Sequence, residues 1–344
     1  MAIYKLGDIF NISSGSTPNT KNENLWKPEL LWYTPIDLKN DTHTERKIAD
    51  KISNVVPPNT NMISSRAPIG YVGKTKETAW HSQGIKGFIN DESKVLNNYF
   101  YYWLISNVKI FQKLGVGSTF SEISTSVIKS IQIDLPSLEE QQKIIDIIEP
   151  FEELISFTQK NISVLEKILE IYSNTLESNL KLSSLVTFEK GKIVKSSEFS
   201  TKNIKNLTGF IDVRSLLPNN EFSKYVSNSP NSFFSDILLS LDGTPGRICY
   251  WIEGFNGYVY NVKSDKISKG QILIDLLNKL NKKIIVENSQ GTTIKHASRA
   301  KDKMLHFDSS NVIVDPIFNN LLLSRKILFN LLDIKKKLID LLVK

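Results

Sequence analysis

The chain has 344 residues, a net charge of +7 and a single cysteine, Cys249. One cysteine excludes an internal disulfide and a cysteine-rich zinc site, and we therefore expect a reducing, cytoplasmic location. No apolar run approaches the roughly 20 residues of a membrane helix, and the first residues lack the pattern of a secretory signal. The length is sufficient for two domains, each with its own core.

The charge is distributed unevenly along the chain. Residues 138–178 have a net charge of −6 and residues 315–344 have +3. Residues 1–137 have +3 and residues 179–314 have +7. The basic excess therefore lies in the two longer segments, which favours an anionic partner for them.

The first long segment predicts a mixture of strands and one helix. Short β-type runs at residues 61–66, 71–76 and 84–89 are separated by Gly, Pro and Asn, and residues 98–114 have helical spacing. The aromatic residues 99–103 lie on this helix, where we expect them in the core; a base-stacking platform is the alternative. The segment is therefore predicted to be α+β.

A heptad pattern follows. The alternating spacing of four and three residues predicts a long packed helix, and Thr158 is the polar member of a seam formed by Phe151, Ile155, Thr158, Ile162, Leu165, Leu169, Tyr172 and Leu176. Pro150 is expected to break or kink this helix, so that residues 138–148 form a separate arm.

The second long segment repeats the first. Its predicted strands are residues 237–241, 247–252 and 258–263, and its predicted helix is 269–281. Four anchors occur in the same order with nearly constant offset, which indicates an internal repeat. Residues 5–15 align with 181–191, Ile36-Asp37-Leu38 with Ile211-Asp212-Val213, Ile63-Ser64 and Gly70 with Leu239-Ser240 and Gly246, and Gly117-Ser118-Thr119 with Gly291-Thr292-Thr293.

A second heptad helix is predicted after Pro316, with a seam formed by Ile327, Leu331, Ile334, Leu338 and Leu341. The obvious partner of each heptad helix is the other. Antiparallel packing would place the two globular halves at opposite ends of a spacer of about 45 Å, related by an approximate twofold axis. Successive turns of duplex DNA are roughly 34 to 36 Å apart. Two domains separated by such a spacer could therefore contact grooves about one turn apart on one face of the duplex.

The predicted fold is therefore α+β, with two similar globular domains held apart by two long antiparallel coiled-coil helices in a pseudo-twofold internal repeat. The expected boundaries are residues 1–137 for the first globular domain, 138–180 for the first spacer helix, 181–314 for the second globular domain and 315–344 for the second spacer helix.

At these residues the chain resembles the specificity (S) subunits of type I restriction-modification systems. The most specific part is Gly117-Ser118-Thr119, followed by Ile131-Gln132-Ile133-Asp134-Leu135-Pro136 and Leu138-Glu139-Glu140-Gln141-Gln142-Lys143-Ile144-Ile145. This passage looks like the family's transition from a recognition domain into its spacer helix. The opening Lys5-Leu6-Gly7-Asp8-Ile9-Phe10, with Ser14-Gly15, is also typical, and the resemblance extends over essentially the whole chain.

The resemblance implies a DNA-recognition subunit without a catalytic site and without a cofactor. Its two target recognition domains would each recognise one half of a bipartite site in double-stranded DNA. Two S-adenosylmethionine-dependent adenine methyltransferase (M) subunits would bind the helices, and restriction (R) subunits would complete the nuclease. The second repeat has residues 308–316 in place of the Leu135–Lys143 passage, which leaves the second methyltransferase contact open.

Candidate DNA contacts are basic, amide, hydroxyl and aromatic side chains in loops, because these groups bind phosphates and base edges. For any single one of them, a solvated surface side chain is the simpler explanation. The candidates are Lys21, Arg66, Tyr71, Lys74, His81, Gln83, Lys86, Ser118 and Thr119 in the first half, and Lys192, Lys195, Arg214, Arg247, Tyr250, Thr292, Thr293, Lys295, His296 and Arg299 in the second.

Other classes of protein have weaker support in the sequence. The Gly-rich residues 115–119 lack the lysine of a nucleotide-binding loop, so we expect them to contact DNA phosphate if any ligand. The four histidines are scattered, without metal-ligand spacing. A stand-alone DNA methyltransferase or nuclease lacks its motifs, and a coiled-coil scaffold without DNA binding would leave the basic globular halves without a role.

Overall fold

The computed structural model describes residues 2–19, 21–26, 29–40, 47–48, 55–90, 92–116, 121–217, 222–292, 295–309 and 313–343. Gly117, Ser118, Thr119 and Thr293, which the sequence singles out, lie outside these residues. The chain divides into two compact units. Unit 1 comprises Met1–Leu154 with Leu332–Lys344, and unit 2 comprises Ile155–Leu331.

Unit 1 combines small sheets with helices. Its strands are β1 (Ala2–Lys5), β2 (Asn11–Ser14), β3 (Leu30–Tyr33), β4 (Lys47–Ile48), β5 (Asn61–Ser64), β6 (Val72–Lys74), β7 (Ala79–His81), β8 (Ile85–Ile89) and β9 (Gln132–Leu135). Its helices are α1 (Leu6–Ile9), α2 (Pro35–Asn40), α3 (Asn97–Ser106), α4 (Val108–Leu114), α5 (Thr125–Ser130), the first part of α6 (Leu138–Ser173) and the last part of α9 (Val314–Leu342). One sheet has the strand order β2-β8-β5-β6, another β4-β3-β7, and β1 pairs with β9.

Unit 2 has corresponding elements. Its strands are β10 (Leu180–Lys181), β11 (Thr187–Lys190), β12 (Thr208–Ile211), β13 (Tyr225–Val226), β14 (Ile237–Leu239), β15 (Asp242–Gly243), β16 (Ile248–Cys249), β17 (Phe255–Asn256), β18 (Tyr260–Lys263), β19 (Lys295–His296) and β20 (Leu305–His306). Its helices are α7 (Lys269–Leu277), α8 (Lys279–Glu287) and parts of α6 and α9 (Val314–Leu342). The sheets have the orders β11-β18-β14-β16 and β13-β12-β17, β10 pairs with β20, and β15 pairs with β19.

The two units share strand order and strand register. In the four-stranded sheet of unit 1, Ser14 pairs with Lys86 and Ile63 pairs with Lys86 on the other side. In unit 2, Lys190 and Leu239 flank Tyr260 in the same way. Each three-stranded sheet contains one parallel pair, β3 with β7 and β12 with β17. Both units are therefore α+β with the same topology.

Each unit has its own apolar core, and each core includes part of the long helices. In unit 1, Phe10, Phe88 and Phe100 cluster with Ile148 from α6 and Ile339 from α9. The aromatic residues of α3 lie mainly in this core, as expected, because Tyr99, Phe100, Tyr102 and Trp103 are buried. The core of unit 2 joins residues of the sheet and of α7 to both long helices through Leu238, Ile272, Leu169, Leu321 and Leu328.

The long helix α6 begins at a capping box. Ser137 Oγ accepts from Glu140 N at 3.3 Å, and Glu140 Oε2 accepts from Ser137 N at 2.9 Å. The expected break at Pro150 is wrong, since α6 is one helix from Leu138 to Ser173. Pro150 is exposed, so the carbonyl group that loses its helical partner can bind water instead. The seam predicted for α6 is inward-facing, with Ile155, Ile162 and Leu169 buried.

The seam predicted for α9 is only partly correct, since Leu331 and Leu338 pack against the cores of their units and the other three members do not. Ile327, Ile334 and Leu341 are exposed, whereas the buried positions include Phe318, Leu321, Arg325, Leu328 and Ile339. Apolar residues occur on two faces of α9, and spacing alone does not show which face is covered. Ser324 and Arg325 are polar but buried. The inner face of α9 therefore does not read as an apolar stripe in the sequence.

Two predicted helices are each interrupted at an asparagine. The segment 98–114 is divided into α3 and α4 at Asn107, whose Nδ2 donates to the Trp103 carbonyl at 3.0 Å. The segment starting at 269 is divided into α7 and α8 at Asn278, whose Oδ1 accepts from Leu280 N at 2.8 Å. In both cases the asparagine amide competes with the helical hydrogen bonds of the backbone.

The three-residue anchor at Ile36-Asp37-Leu38 is also displaced. The last pair of the parallel ladder is Tyr33 with His81 in unit 1 and Ile211 with Asn256 in unit 2. Tyr33 therefore corresponds to Ile211, and residues 36–38 lie on helix α2. Similar apolar-Asp-apolar triplets produced a false match at this point.

Candidate nucleic-acid interface

A tight hairpin with the same hydrogen bonds occurs in both units. In unit 1 it joins β5 to β6: Ser64 Oγ donates to the Pro68 carbonyl at 2.8 Å and accepts from Tyr71 N at 2.8 Å. In unit 2 it joins β14 to β16: Ser240 Oγ donates to the Thr244 carbonyl at 2.6 Å and accepts from Arg247 N at 3.0 Å. Tyr71 and Arg247 are therefore equivalent positions.

A second segment crosses each hairpin. Arg66 forms an antiparallel bridge with Glu122, and Asp242 forms one with His296. The flanking backbone bonds match as well: Ile123 N donates to the Ser65 carbonyl at 2.9 Å, and Ala297 N to the Leu241 carbonyl at 2.7 Å. Arg66 thus corresponds to Asp242, and Glu122 to His296. We call Arg66–Glu122 and Asp242–His296 the bridge pairs.

The bridge pair of unit 1 is an ion pair. Arg66 Nε lies 3.0 Å from Glu122 Oε2, and both side chains are 42% exposed. Lys86 lies nearby on β8, with Nζ donating to Ser14 Oγ at 2.8 Å. Burial lowers the pKa of Lys86, and the charge of Arg66 acts in the same direction while Glu122 opposes it. The exposed charges of this pair can therefore contact an anion or a base edge.

The bridge pair of unit 2 has the opposite arrangement. Asp242 Oδ1 lies 2.9 Å from His296 Nδ1, and Asp242 Oδ2 accepts from Lys190 Nζ at 2.9 Å. Burial acts to raise the pKa of Asp242, but the hydrogen bonds from His296 and Lys190 outweigh it and the pKa is lowered. The bond to Asp242 raises the pKa of Lys190. The carboxylate is mostly covered, and the two basic groups are on the outside.

The other candidates in unit 1 have different surroundings. Lys74 donates to Asn98 Oδ1 at 2.6 Å and lies 4.1 Å from the centre of the Tyr101 ring, close to α3 rather than to the bridge pair. The Nζ atom of Lys39 lies over the Tyr71 ring, 5.7 Å from the ring centre. Lys21 and Gln83 are exposed.

His81 is fully buried in unit 1. Its Nε2 lies 2.7 Å from Ser13 Oγ. Burial lowers its pKa to about 4, so the ring is neutral at pH 7. In this position the imidazole ring supports the sheet and does not reach the surface.

The candidates in unit 2 fall into three groups. Tyr250 is buried, and its hydroxyl group donates to Glu166 Oε1 at 2.5 Å. Arg247 Nη1 donates to the Val213 carbonyl at 2.9 Å, which brings its guanidinium beside the loop that contains Arg214. The exposed candidates are Lys192, Lys195, Arg214, Thr292, Lys295, His296 and Arg299.

The candidate contacts chosen from the sequence did not include Glu122, Lys190, Asp242 or Lys301. Lys301 Nζ lies 4.7 Å from the centre of the Tyr260 ring, which also lies 5.6 Å from Lys190 Nζ. A register-based comparison of the two repeats would have found these positions, since Lys190 follows Ser14 at the offset of 176 that the other anchors share.

Among the residues that the structure describes, no three or more His, Cys, Asp and Glu residues are grouped as a metal site requires. In the same residues, no helix combines the length and the apolar character needed to cross a membrane.

The comparison with known proteins agrees with the resemblance in the sequence. Residues 1–167 match the family model described as the type I restriction modification DNA specificity domain. The specificity subunit of the type I restriction enzyme MjaIX from Methanocaldococcus jannaschii is 34% identical over 185 residues, which are 50% of this chain and 43% of that protein. The putative MjaX specificity subunit of the same organism is 31% identical over 128 residues, 37% of this chain and 30% of that protein.

A solved structure has the same fold. The S subunit of a type I restriction-modification system from M. genitalium has a TM-score of 0.55 and 18% identity to this chain, and the match covers 100% of this chain and 96% of that one. At this identity the likeness concerns the fold alone.

Residues 1–167 are therefore similar to the DNA specificity domains of type I restriction-modification systems. The curated relatives that this chain matches are type I restriction enzyme specificity subunits, to which it is similar over up to half of its length. The match covers less than half the length of the two curated relatives named above.

Proposed function

We propose that this chain recognises a bipartite site in double-stranded DNA, with one half-site bound by each unit, and that it directs methyltransferase and restriction subunits to that site without a catalytic site of its own. One observation carries the proposal. The two units have the same strand order and the same hydrogen-bonded hairpin, yet the side chains at equivalent hairpin positions differ in charge. A repeated backbone with different surface side chains is suited to reading two different short sequences.

The long helices are the proposed spacer between the two recognition domains, in an antiparallel coiled coil with pseudo-twofold symmetry. In unit 1, Lys335 Nζ of α9 lies 2.6 Å from Glu152 Oε1 of α6. In unit 2, Arg325 Nη2 of α9 lies 2.8 Å from Glu166 Oε1 of α6. The chain order of these contacts is opposite in the two helices, as antiparallel packing requires. The proposed boundaries remain 1–137, 138–180, 181–314 and 315–344.

The outer faces of the helices support the proposed contact with two methyltransferase subunits. On α6, Leu154, Phe157, Val164, Ile168 and Ile171 are exposed. On α9, the exposed apolar residues include Leu323, Ile327, Ile334 and Leu341, and the last three are seven residues apart. Long apolar stripes on otherwise packed helices favour further helices as partners. The restriction subunits would complete the nuclease, and we expect the complex in the cytoplasm.

The proposal is tested by the DNA that the complex modifies. The chain is co-expressed with its methyltransferase subunit, and methylated adenines are mapped across the host genome. We expect a split motif with a gap of fixed length and a modified adenine in each half. The control is the same cell without this chain. A contiguous motif, or a motif that persists without this chain, would contradict the proposal.

A further inference from the structure

The two bridge pairs exchange acid and base at equivalent positions. Arg66 on the first hairpin corresponds to Asp242 on the second, and the crossing segment supplies Glu122 in unit 1 and His296 in unit 2. The backbone around them is the same, with a bridge from the crossing residue to Val116 in unit 1 and to Gln290 in unit 2. The units therefore differ here in side-chain chemistry rather than in shape.

The lysine near each bridge pair, Lys86 in unit 1 and Lys190 in unit 2, lies on non-equivalent strands of the two units. Ser14 pairs with Lys86 across β2 and β8, and Lys190 pairs with Tyr260 across β11 and β18. The lysine is on the second of these strands in unit 1 and on the first in unit 2. Each unit thus contains one carboxylate and two basic groups at the same place, but supplied by exchanged backbone positions.

A role in stability alone accounts poorly for this arrangement. The Arg66–Glu122 pair is 42% exposed on both sides, and exposed ion pairs contribute little to folding. The second pair uses a histidine that is 61% exposed. At these positions the backbone is the same in both units, but the acidic and basic side chains have swapped places. Such positions can give the two domains different base specificities.

The geometry of Arg66 suits a guanine. Glu122 Oε2 lies 3.0 Å from Nε of the guanidinium in an ionic contact without hydrogen-bond geometry, and the two terminal nitrogens are the donors that we assign to a base edge. These two nitrogens can donate two parallel hydrogen bonds to O6 and N7 of guanine. An ionic contact that restrains the guanidinium reduces the conformational freedom lost on binding.

His296 occupies the corresponding place in unit 2. Asp242 faces its Nδ1, so Nε2 is the ring atom on the far side, available to a base edge. Arg247 is differently placed, because its position corresponds to Tyr71 and its Nη1 is bonded to the Val213 carbonyl. The basic residue that matches Arg66 in role is thus on the crossing segment and not on the hairpin.

We propose that the bridge pairs are the specificity-determining residues of the two units. Arg66, positioned by Glu122, reads a guanine in the first half-site, and His296, positioned by Asp242, reads a base in the second. This inference rests on the proposed function of the chain and adds to it which side chains discriminate between bases.

The first test is Arg66→Lys in the complex with the methyltransferase subunit. Lysine retains the charge but loses the two-pronged edge. We measure methylation rates on oligonucleotides in which each base of each half-site is varied in turn. Discrimination at one guanine of the first half-site should fall by about 10-fold or more, with the second half-site unchanged. The matched control is Lys109→Arg on α4, an equally conservative exchange outside both hairpins.

The second test moves the pair of unit 1 into unit 2. The double variant Asp242→Arg with His296→Glu should change the preferred base at one position of the second half-site to guanine, and the first half-site should stay the same. The unaltered first half-site also reports that the variant is folded and assembled. If the double variant fails to fold, His296→Gln is measured in its place and should alter discrimination in the second half-site only.

Two results would overturn the inference. Arg66→Lys could slow methylation of all first-half variants equally, as a phosphate contact would. The variants of unit 2 could leave the second half-site unchanged. Both differ from a failure of the proposed function, which would appear as a wild-type complex whose methylation does not depend on a split site.

Discussion

Arg325 stacks on Trp251, with its guanidinium carbon 3.7 Å from the ring centre. Its Nη2 also pairs with Glu166 Oε1 at 2.8 Å, and the Tyr250 hydroxyl group donates to the same oxygen. The Arg325 side chain is only 8% exposed. A charged residue therefore occupies a position on the inner face of α9 where a heptad pattern leads one to expect an apolar residue.

Arg325→Met should destabilise unit 2. Methionine retains much of the length of the side chain but leaves the Glu166 carboxylate without its ionic partner. We expect the free energy of unfolding to fall by about 1 to 3 kcal/mol. This is less than for a fully buried ion pair, because Glu166 is one third exposed and water can solvate its carboxylate. Urea denaturation of the whole chain measures the change in the free energy of unfolding.

The double variant Arg325→Met with Glu166→Gln is the control for this prediction. Removal of both charges should cost less than the sum of the two single changes, because neither charge is then left unpaired. Additive effects would mean that the ion pair itself contributes nothing and that only the stacking on Trp251 matters.

Gly70→Ala and Gly246→Ala should differ in cost although they occur at equivalent turns. Both glycines have positive φ, +104° and +94°, so alanine is strained at either one by about 1 to 2 kcal/mol. An added Cβ would lie 2.4 Å from Val108 Cγ1 in unit 1 but 3.8 Å from Ile285 Cγ2 in unit 2. Overpacking should therefore add about 1 to 3 kcal/mol at Gly70 only.

Thermal unfolding of the two glycine variants gives the comparison, with the wild type as reference. We expect the lower melting temperature for Gly70→Ala. Equal losses would mean that α4 moves away without cost and that backbone strain alone determines the effect.

The stability of unit 2 should decrease above neutral pH because of His306. The hydrogen bond with Asp275, 2.8 Å away, raises the pKa of His306 above 6.5, and the charge of Asp308 acts in the same direction. The folded state thus holds the proton more tightly than the unfolded chain. The stabilisation is fully present below pH 6.5 and is lost as the pH rises through the raised pKa.

The measurement is the free energy of unfolding in urea between pH 6 and pH 9. His306→Gln should remove the part of the pH dependence that comes from this residue. Burial raises the pKa of Asp275, which acts in the same direction. A wild-type pH profile that His306→Gln leaves unaltered would exclude this pair as its source.

The sequence predicted the repeat, the α+β content and the position of α6, because apolar spacing and glycine turns are properties of short segments. It failed where a tertiary contact determines the outcome. Arg325 can be buried because it stacks on Trp251 and pairs with Glu166. The sequence shows neither contact, so a charged residue was not expected on the inner face of α9 and that face was assigned only partly correctly.

The carboxylate members of the bridge pairs, Glu122 and Asp242, were missed for a different reason. Arg66 and Asp242 are opposite in charge, and a search for similar residues passes over positions where function requires a difference. Strand register showed the equivalence, since it does not depend on which side chain is present. Three candidate DNA-contact residues, Ser118, Thr119 and Thr293, lie outside the described residues and stay predictions.

The last prediction concerns the spacer and follows from the division of each long helix between the units. Helix α6 passes from unit 1 to unit 2 at Leu154, and α9 passes from unit 2 to unit 1 at Leu331. One heptad inserted after each of these residues should preserve the contacts within both units and lengthen both helices by about 10.5 Å. That length is about three base pairs of duplex DNA, with a rotation of roughly 100° around the helix axis. We therefore expect the methylated motif to retain the bases of both half-sites with a gap longer by about three base pairs, or methylation to be lost if the rotation cannot be accommodated.

An insertion in α6 alone is the control: it should put the Glu166–Arg325 contact out of register with Glu152–Lys335 and destabilise the chain. Motif mapping and thermal unfolding of both variants give the result, and half-sites that change while the gap stays fixed would exclude these helices as the spacer.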